Sequence, residues 1–571
     1  MTGTSSFFPP ALILVAGAML LPLLMKKIRP WIYVIFPLLT LLWIIWLPTG
    51  EGAHLSLGNF NLVLVHKDAL SFIFGLIFSF IALAGAIYSF HLKDTAHLCA
   101  SLLYAAGALG VTFAGDFLTL FIFWETMAFT SLYLIWARRK KESYQAGFRY
   151  LIYHALGGGI LLAGLVLHFQ QAGNLAITSL QTQDGLGAWL ILVGVVINAA
   201  VPPLHPWLAD AYPKATVTGA VFLSAFTTKA AVYVLLRVFP GWEVLLVAGS
   251  IMTVYGVVFA ILANDIRGIL SYHIISQVGY MVAGVGVGTT MGLNGSAAHA
   301  FSHILYKALL FMGTGAVLEA TGRYKLTDLG GLSKKLKAPL ILYMIAAFSI
   351  SGVPLFNGFI SKSMVVAAAK EAHHSWAMFL MLLASVGTFL SVGLKLPYFT
   401  WGGKDKGLQV KKLPANMYVA MSLVAFICIL HGVMPGLLYQ LLPFPVDYHP
   451  YSTSHLLETI QILSFTLVGF WLARKKLVPH AQIALDVDWL YRYPGKKAGQ
   501  FILDEAVAFF TWTEKVARQG VKISADWIKN PMELPASPKT SYSPDRYRPP
   551  LRRVISWLLV VFILLIALSL I

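Results

Sequence analysis

Charge is scarce in this chain of 571 residues. Only 12% of them are Asp, Glu, Lys or Arg, about half the share of an ordinary soluble domain, while 58% are hydrophobic. A water-soluble globular fold is excluded. Acidic residues are the scarcer sign, 24 against 42 Lys and Arg, for a formal net charge of +18. The basic residues concentrate in short connections between apolar runs, which speaks for membrane orientation and against a nucleic-acid partner. Cysteine is nearly absent. Cys99 and Cys428 lie far apart inside apolar stretches, which excludes a protein-held iron–sulfur cluster with its roughly four ligands, and also a c-type haem. No Walker A sequence occurs, and GVGVGTTMG (284–292) ends an apolar run instead of following a strand. No cofactor is expected. The first apolar run lacks preceding basic residues; Lys26, Lys27 and Arg29 follow it, so 7–25 is expected to be a retained helix with the N-terminus outside.

What the chain has in abundance is apolar runs of bilayer length, and the fold class that follows is an all-α polytopic membrane protein. Sixteen spans are expected, near 7–25, 31–47, 69–90, 96–114, 116–136, 148–169, 187–212, 216–238, 245–263, 268–289, 296–320, 338–370, 376–400, 415–441, 455–473 and 554–571. Connections after odd-numbered spans are basic: KKIR, HLKD, ARRKKESYQAGFR, Lys214, Arg267, the 323–337 loop, GGKDKGLQVKK and ARKK. Those after even-numbered spans, such as QQAGNLAITSLQTQDGLG, FPGWE, GTTMGLNG and PFPVDYHPYSTSH, carry no Lys or Arg; Lys67 and Lys370 are the exceptions. The positive-inside rule then puts the odd connections in the cytoplasm of a cell whose plasma, or inner, membrane holds the chain.

Two spans contain helix breakers. The seventh has Pro202, Pro203 and Pro206 in AAVPPLHPWLADAYP, and the twelfth has Gly352, Pro354 and Gly358 in SGVPLFNGFISK. Both are expected to unwind at depth, where freed carbonyls can meet water or ions. They lie five spans apart. An odd offset reverses orientation in the membrane, so two five-helix units, about 96–238 and 245–400, would be inverted repeats within a transmembrane domain of residues 1–476. Residues 477–553 form a different domain, amphipathic through Phe501, Ile502, Ala506, Phe509 and Phe510 with Trp489 and Trp512 as interfacial aromatics. It is expected to lie on the cytoplasmic surface or against a partner subunit, with an extended linker at 531–550 leading into the last helix at 554–571.

Ionisable residues inside such spans need a reason, since each costs about 2.5–3.5 kcal/mol at mid-depth on insertion scales. In HAFSHILYKALLF (299–311), His299, His303 and Lys307 fall on one helical stripe about 12 Å long. That ladder suits a proton wire better than haem ligation, which draws imidazoles from two helices. Packing histidines bonded to neighbouring helices are the plainer alternative. Glu125 has no charged neighbour between Asp116 and Arg138, and Lys229 stands about mid-span in GAVFLSAFTTKAAVYVLLR. A carboxylate or ammonium so placed changes protonation state in response to a neighbour. Lys362 follows the second break. His205, beside the first break, His273 in LSYHIISQVGYM, and Lys395 near a span end are weaker candidates, for which packing or snorkelling to the surface serves as well.

The motifs WETM, PLHPWLADAYPKATVTG, TTKAAVYVLLR, DIRGILSYHIISQVGYM, HAFSHILYKALLF and PLFNGFISK occur in this order. Together they resemble the antiporter-like membrane subunits shared by respiratory complex I and Mrp-type cation/proton antiporters, over roughly residues 68–400. SYHIISQVGYM and DVDWLYR look most like the D-type Mrp subunit. The resemblance implies two inverted five-helix units joined by a hydrated chain of charged residues. Glu125 matches the family's lysine-paired carboxylate, Lys229 its central lysine, His303 and Lys307 its connecting groups, and Lys362 the ionisable residue on the second broken helix. One position departs from the family: aligning PPLHPW puts Asn198 where a lysine is usual, so the usual partner of Glu125 is missing; either another cation such as Lys229 serves, or this unit conducts differently or not at all.

Nothing in the chain performs redox chemistry. The expectation is a proton-translocating subunit, driven by a cation gradient as in an Mrp-type antiporter or by electron transfer in partner subunits as in complex I or a hydrogenase. Its partners would be other membrane subunits, lipid, H⁺ and, as alternative cargo, Na⁺. A non-conducting scaffold, favoured by Asn198, and a stand-alone solute transporter are the competing classes.

Overall fold

An apolar run cannot leave backbone N–H and C=O groups bare in lipid, so each must close its hydrogen bonds within itself as a helix. The computed structural model, which describes residues 7–58, 60–480, 485–529 and 554–561, has this architecture. In chain order come α1 (Pro10–Leu20), α2 (Arg29–Trp46), β1 (Gly50–Leu57), β2 (Phe60–Lys67), α3 (Ala69–Tyr88), α4 (Thr95–Phe113), α5 (Phe117–Trp136), α6 (Lys141–Ala172), α7 (Gly185–Asn198) and α8 (Pro206–Ala211). There follow α9 (Val217–Ala225), α10 (Thr227–Val238), α11 (Glu243–Leu262), α12 (Ile266–Val287), α13 (Thr290–Thr321), α14 (Lys337–Ser351), α15 (Asn357–Glu371) and α16 (Ser375–Thr388). After α16 the chain widens to a π-helical segment, Phe389–Lys395, then continues as α17 (Leu396–Thr400), α18 (Ala415–Val433), α19 (Pro435–Tyr439), α20 (Thr453–Ala473), α21 (Asp488–Arg492) and α22 (Pro494–Lys529).

Eleven helices among the described residues are long and apolar enough to cross a membrane, and 10–23, 182–198 and 337–351 are shorter apolar helices. The chain is a multi-pass helical membrane protein. Every expected span up to 455–473 falls on one helix or on two or three helical segments in series; the last, 554–571, lies mostly outside the described residues, and the linker at 531–550 lies wholly outside them. Both expected breaks are present. The backbone leaves the helix between Asn198 and Pro206, with Ala200 at φ 58°, and again between Ser351 and Asn357, with Gly352 at φ 73° and Leu355 at φ 74°.

Three features are absent from the sequence reading. An antiparallel hairpin, β1 with β2, pairs Gly50 with Lys67 through Leu57 with Phe60 ahead of α3. A further discontinuity at Phe226 separates α9 from α10, and the π-helical segment interrupts the thirteenth span.

The α5–α6 and α12–α13 pairs share a register. Asp116 and Asp265 cap α5 and α12 by accepting the N–H groups of Thr119 and Gly268, which is the ordinary N-cap bond. Backbone bridges join Asp116 to Ala176 and Asp265 to Lys325, an offset of 149 residues in both members (265 − 116, and again 325 − 176). The same offset carries Phe117 N–H donating to Leu175 C=O (2.8 Å) onto Ile266 N–H donating to Tyr324 C=O (2.9 Å). It also carries α6 onto α13, each of 32 residues, and the left-handed Gly173 that ends one onto the left-handed Gly322 that ends the other.

By contacts the chain divides into Met1–Ala484 and Leu485–Ile571. Within the second unit α22 is a long amphipathic helix on which Phe501, Ile502, Phe509, Phe510 and Trp512 are all exposed.

Candidate functional site

The ladder residues ride on α13, a helix begun by the Thr289 side chain accepting Gly292 N–H and ended at Gly322. His299, His303 and Lys307 are each 0% exposed. Their rings and chains form a line. His299 and His303 have ring centroids 6.2 Å apart, and Tyr306 stands 5.2 Å from His303. His299 Nδ1 lies 3.2 Å from Ser361 Oγ on α15. The next residue, Lys362, donates from Nζ to Ser385 Oγ at 2.8 Å and sits 4.8 Å from the centre of the Tyr280 ring, which itself packs 5.7 Å from His299. Ser361 and Tyr280 therefore join the ladder to Lys362.

Lys229 approaches from the other end. The discontinuity at Phe226 releases the Ser224 carbonyl from helical bonding, and Lys229 Nζ donates to it at 2.6 Å and to Thr228 Oγ1 at 3.1 Å. The Thr227 N–H at the same break donates to Tyr104 OH at 3.1 Å, and that hydroxyl lies 2.6 Å from Thr227 Oγ1. The break is thus stabilised by side chains that replace the lost ladder bonds. Lys229 acts electrostatically on Lys307, His303 and His299, and Lys307 and Lys362 on His273. Lys229, Lys307, His303, His299, Lys362 and His273 form one coupled set.

His273, within the set, and the remaining candidates make their bonds elsewhere. His273 reaches the set through space, while its Nε2 bonds to Ser391 Oγ in the π-helical segment. Lys395, at the end of that segment, donates to the Ile261 carbonyl at 2.5 Å. The ring of His205 packs edge-on to Tyr255 at 4.7 Å. Glu125 is half-buried on α5, with Oε1 buried and bonded to no protein atom. Its carboxylate fits because α6 has no side chain at Gly158; a β-carbon there would overlap Glu125 Oε1. The Lys229 ammonium donates to Ser224 and Thr228.

Asn198 is 1% exposed, and neither its Oδ1 nor its Nδ2 bonds to a protein atom. Its amide faces His154 on α6 without completing a hydrogen bond, and both nitrogens of that buried ring are likewise unbonded. His154 is a site residue that the sequence reading missed. The available signal was Tyr150 and His154 at helical spacing in FRYLIYHALGG, a pattern as common in packing as in proton transfer. Unbonded buried polar groups cost about 1–3 kcal/mol each, so places where several meet are places for bound water. His303, Lys307 and the Asn198 and His154 pair are such places.

Two cavities bear on the site, and the first of them reaches the set at Lys362. One of about 330 Å³ is lined by Lys362, Ser385 and Gly352 and continues past Lys370 to His455 and Glu458, beside the connection before α20. The other, about 410 Å³, is lined by His91, Asp94, His97, Arg138, Thr216 and Glu319 and gathers basic connections that follow odd-numbered spans. Among the described residues no three His, Cys, Asp or Glu side chains converge as metal ligands would.

Comparison with known proteins bears on the fold that holds these residues. The family described as NADH:quinone oxidoreductase/Mrp antiporter, TM, matches residues 114–391. That stretch resembles the antiporter-like module of those subunits. The uncharacterized protein MJ1309 of Methanocaldococcus jannaschii is 29% identical over 65% of this chain and 81% of its own length. The Na(+)/H(+) antiporter subunit A1 of Staphylococcus haemolyticus is 29% identical over 69% of this chain, and hydrogenase-4 component B of Escherichia coli 28% identical over 54%. This chain spans about half the length of those two relatives, 54% and 52%. In fold it resembles a chain of the membrane-bound sulfane sulfur reductase, an archaeal respiratory membrane complex, with a TM-score of 0.68 at 23% identity, covering 80% of this chain and 98% of that one. A chain of the Mrp complex from Dietzia sp. DQ12-45-1b gives 0.65 at 22%, covering 80% and 95%. The module contains all six motifs, both expected breaks and the whole coupled set.

Proposed function

We propose that this chain is a proton-translocating subunit of a multisubunit membrane complex, with the antiporter-like module as its conducting part. Protons pass between Lys229, Lys307, His303, His299 and Lys362, while Glu125 gates the line from α5. The observation that carries this reading is the continuity of the coupled set, buried from Lys229 to His299 and then open, at Lys362, to a cavity lined by polar side chains. Repulsion among its lysines lets a proton arriving at one site drive release from the next, without any redox group in the chain.

The favoured setting is an Mrp-type cation/proton antiporter in the plasma (inner) membrane, with the N-terminus outside, other membrane subunits as partners, and H⁺ exchanged for Na⁺ or another cation. The likeness to subunit A1 supports it. A redox-driven complex is the second reading, and the fold of the sulfane sulfur reductase chain and the similarity to hydrogenase-4 component B favour it. The 149-residue register supports two repeats of opposite orientation, spans four to eight and nine to thirteen, inside the domain 1–476; residues 477–553 would serve as a cytoplasmic docking segment.

The test is transport by the complex purified through this chain and reconstituted in vesicles, with and without a redox donor. Lys229→Ala or Glu125→Ala abolishes proton flux while the complex still assembles, a loss of roughly 100-fold or more. Near-normal flux in both variants would favour the scaffold instead.

A further inference from the structure

Four of the six groups of the coupled set, His273, His299, His303 and Lys307, lie on the second of the two registered helix pairs, and none lies on the first. The 149-residue offset that superposes the caps and bridges carries His154 onto His303. Both rings are buried, and in both neither nitrogen bonds to a protein atom. One turn further along, the offset carries Gly158 onto Lys307. Where α13 supplies an ammonium, α6 supplies a gap, and the carboxylate of Glu125 fills it from α5. Asn198 closes the place from α7, with both ends of its amide unbonded.

Aromatic packing is the competing account of His154, whose ring centroid lies 4.1 Å from that of Tyr150 and 4.7 Å from that of Trp207. Such contacts cover the faces of a ring. They leave its edge nitrogens unsatisfied, and one of these must carry a hydrogen in either tautomer. A phenylalanine would pack as well and leave nothing unpaired.

We propose that Glu125, His154 and Asn198 enclose a hydrated site in which His154 exchanges protons with Glu125, as the first unit's counterpart of His303. A proton leaving the Glu125 carboxyl for one imidazole nitrogen leaves a carboxylate beside an imidazolium; release from the other nitrogen restores a neutral ring in the opposite tautomer. Asn198 holds the intervening water and carries no proton. This rests on the proton-translocation reading above.

The test uses the reconstituted complex, with Lys229→Ala as reference. His154→Gln keeps polar edge atoms but cannot accept a proton, and is expected to lower proton flux about tenfold or more with assembly intact. His154→Gln combined with Asn198→Lys returns a titratable group to the site and is expected to recover flux to within about threefold of the unmodified complex. Flux in His154→Gln within about twofold of normal, while Lys229→Ala abolishes it, overturns the role of His154 alone. Normal flux in Lys229→Ala as well overturns the translocation reading and this proposal with it. A loss that Asn198→Lys fails to restore assigns the ring to packing and also overturns the proposal. Should His154→Gln not assemble, Asn198→Leu, which dries the same site, decides: a loss of flux supports the proposal and unchanged flux overturns it.

Discussion

The two registered helix pairs solve one problem with different chemistry. In α12–α13 the buried charge is intrinsic to the long helix, with Lys307 a turn from His303, and the neighbouring helices add Ser361 and Lys362 as donors and acceptors. In α5–α6 the long helix carries no charged residue at the matching place; its contribution is glycine, and the charge arrives from Glu125 on the adjacent helix. A basic unit and an acidic unit thus flank the break at Phe226 where Lys229 sits. Under the proposed function, like charges in one half and an opposite charge in the other would let a single proton's movement be felt along the whole line.

The largest effect that would break this comparison is expected at Gly158. Three glycines in a row, Gly157 to Gly159, weaken a helix by about 1 kcal/mol apiece relative to alanine, so their presence in α6 calls for a reason. Gly157 lets Ile197 approach, with a β-carbon there falling 3.2 Å from its side chain, and Gly158 houses Glu125; Gly159 faces open space. Gly158→Ala is expected to displace the Glu125 carboxylate and lower proton flux about tenfold. Gly159→Ala should leave flux unchanged and raise thermal stability by roughly the helix-propensity difference, ~1 kcal/mol. Equal fluxes from the two variants, measured in the same vesicles, would show that the Glu125 cradle has no part in transport.

How far the sequence could reveal this arrangement differs element by element. Bilayer-length apolar runs located the spans, and clustered Pro and Gly located both expected breaks, because these residues act through their own backbone geometry whatever surrounds them. The His299, His303, Lys307 stripe was legible because helical spacing alone aligns it. The break at Phe226 was not. It contains neither Pro nor Gly, and it exists because Tyr104 and Lys229, brought in by the fold, satisfy the groups it frees. His154 was hidden for a related reason. A lone histidine on an apolar helix is ambiguous until its neighbours are known, and the ones that matter, Asn198 and the Glu125 carboxylate, come from other helices. The hairpin at 50–67 is a missed local signal, since LSLGNFNLVLV alternates around Gly58 as strands around a turn do.

A smaller effect is expected from converting the acidic unit toward the basic one. Asn198→Lys places an ammonium among polar atoms of Glu125 and His154 that bond to no protein atom, so it should be tolerated, with flux within about threefold of normal and a measurable shift in its pH dependence. Complete failure to insert would show that position 198 is a packing position and that the alignment putting a lysine there is wrong.

The smallest effect concerns how α10, and so Lys229, is held. Arg237 on α10 donates to both carboxylate oxygens of Asp68, at 2.8 and 2.7 Å, and to Tyr233 OH at 2.9 Å. Asp68 lies just outside the membrane, at the start of α3, where it also accepts Ser71 N–H. Burial pushes its carboxyl up, but the Arg237 guanidinium and the bonds from Ser71 outweigh burial and hold it below the ordinary value. A carboxyl depressed in the folded state stabilises that state at neutral pH, and the contribution is lost as pH falls below about 4 and then through the depressed value. Asp68→Asn keeps the cap and removes the charge. At pH 7 it is expected to cost less than about 1 kcal/mol, because the pair is partly solvent-screened, and the difference from the unmodified chain should shrink as the pH falls below about 4. Thermal unfolding of the detergent-solubilised chain across that range measures it; a difference that stays constant from pH 7 to below about pH 4 would show that Asp68 acts through its shape at the helix start, leaving α10 without an electrostatic anchor.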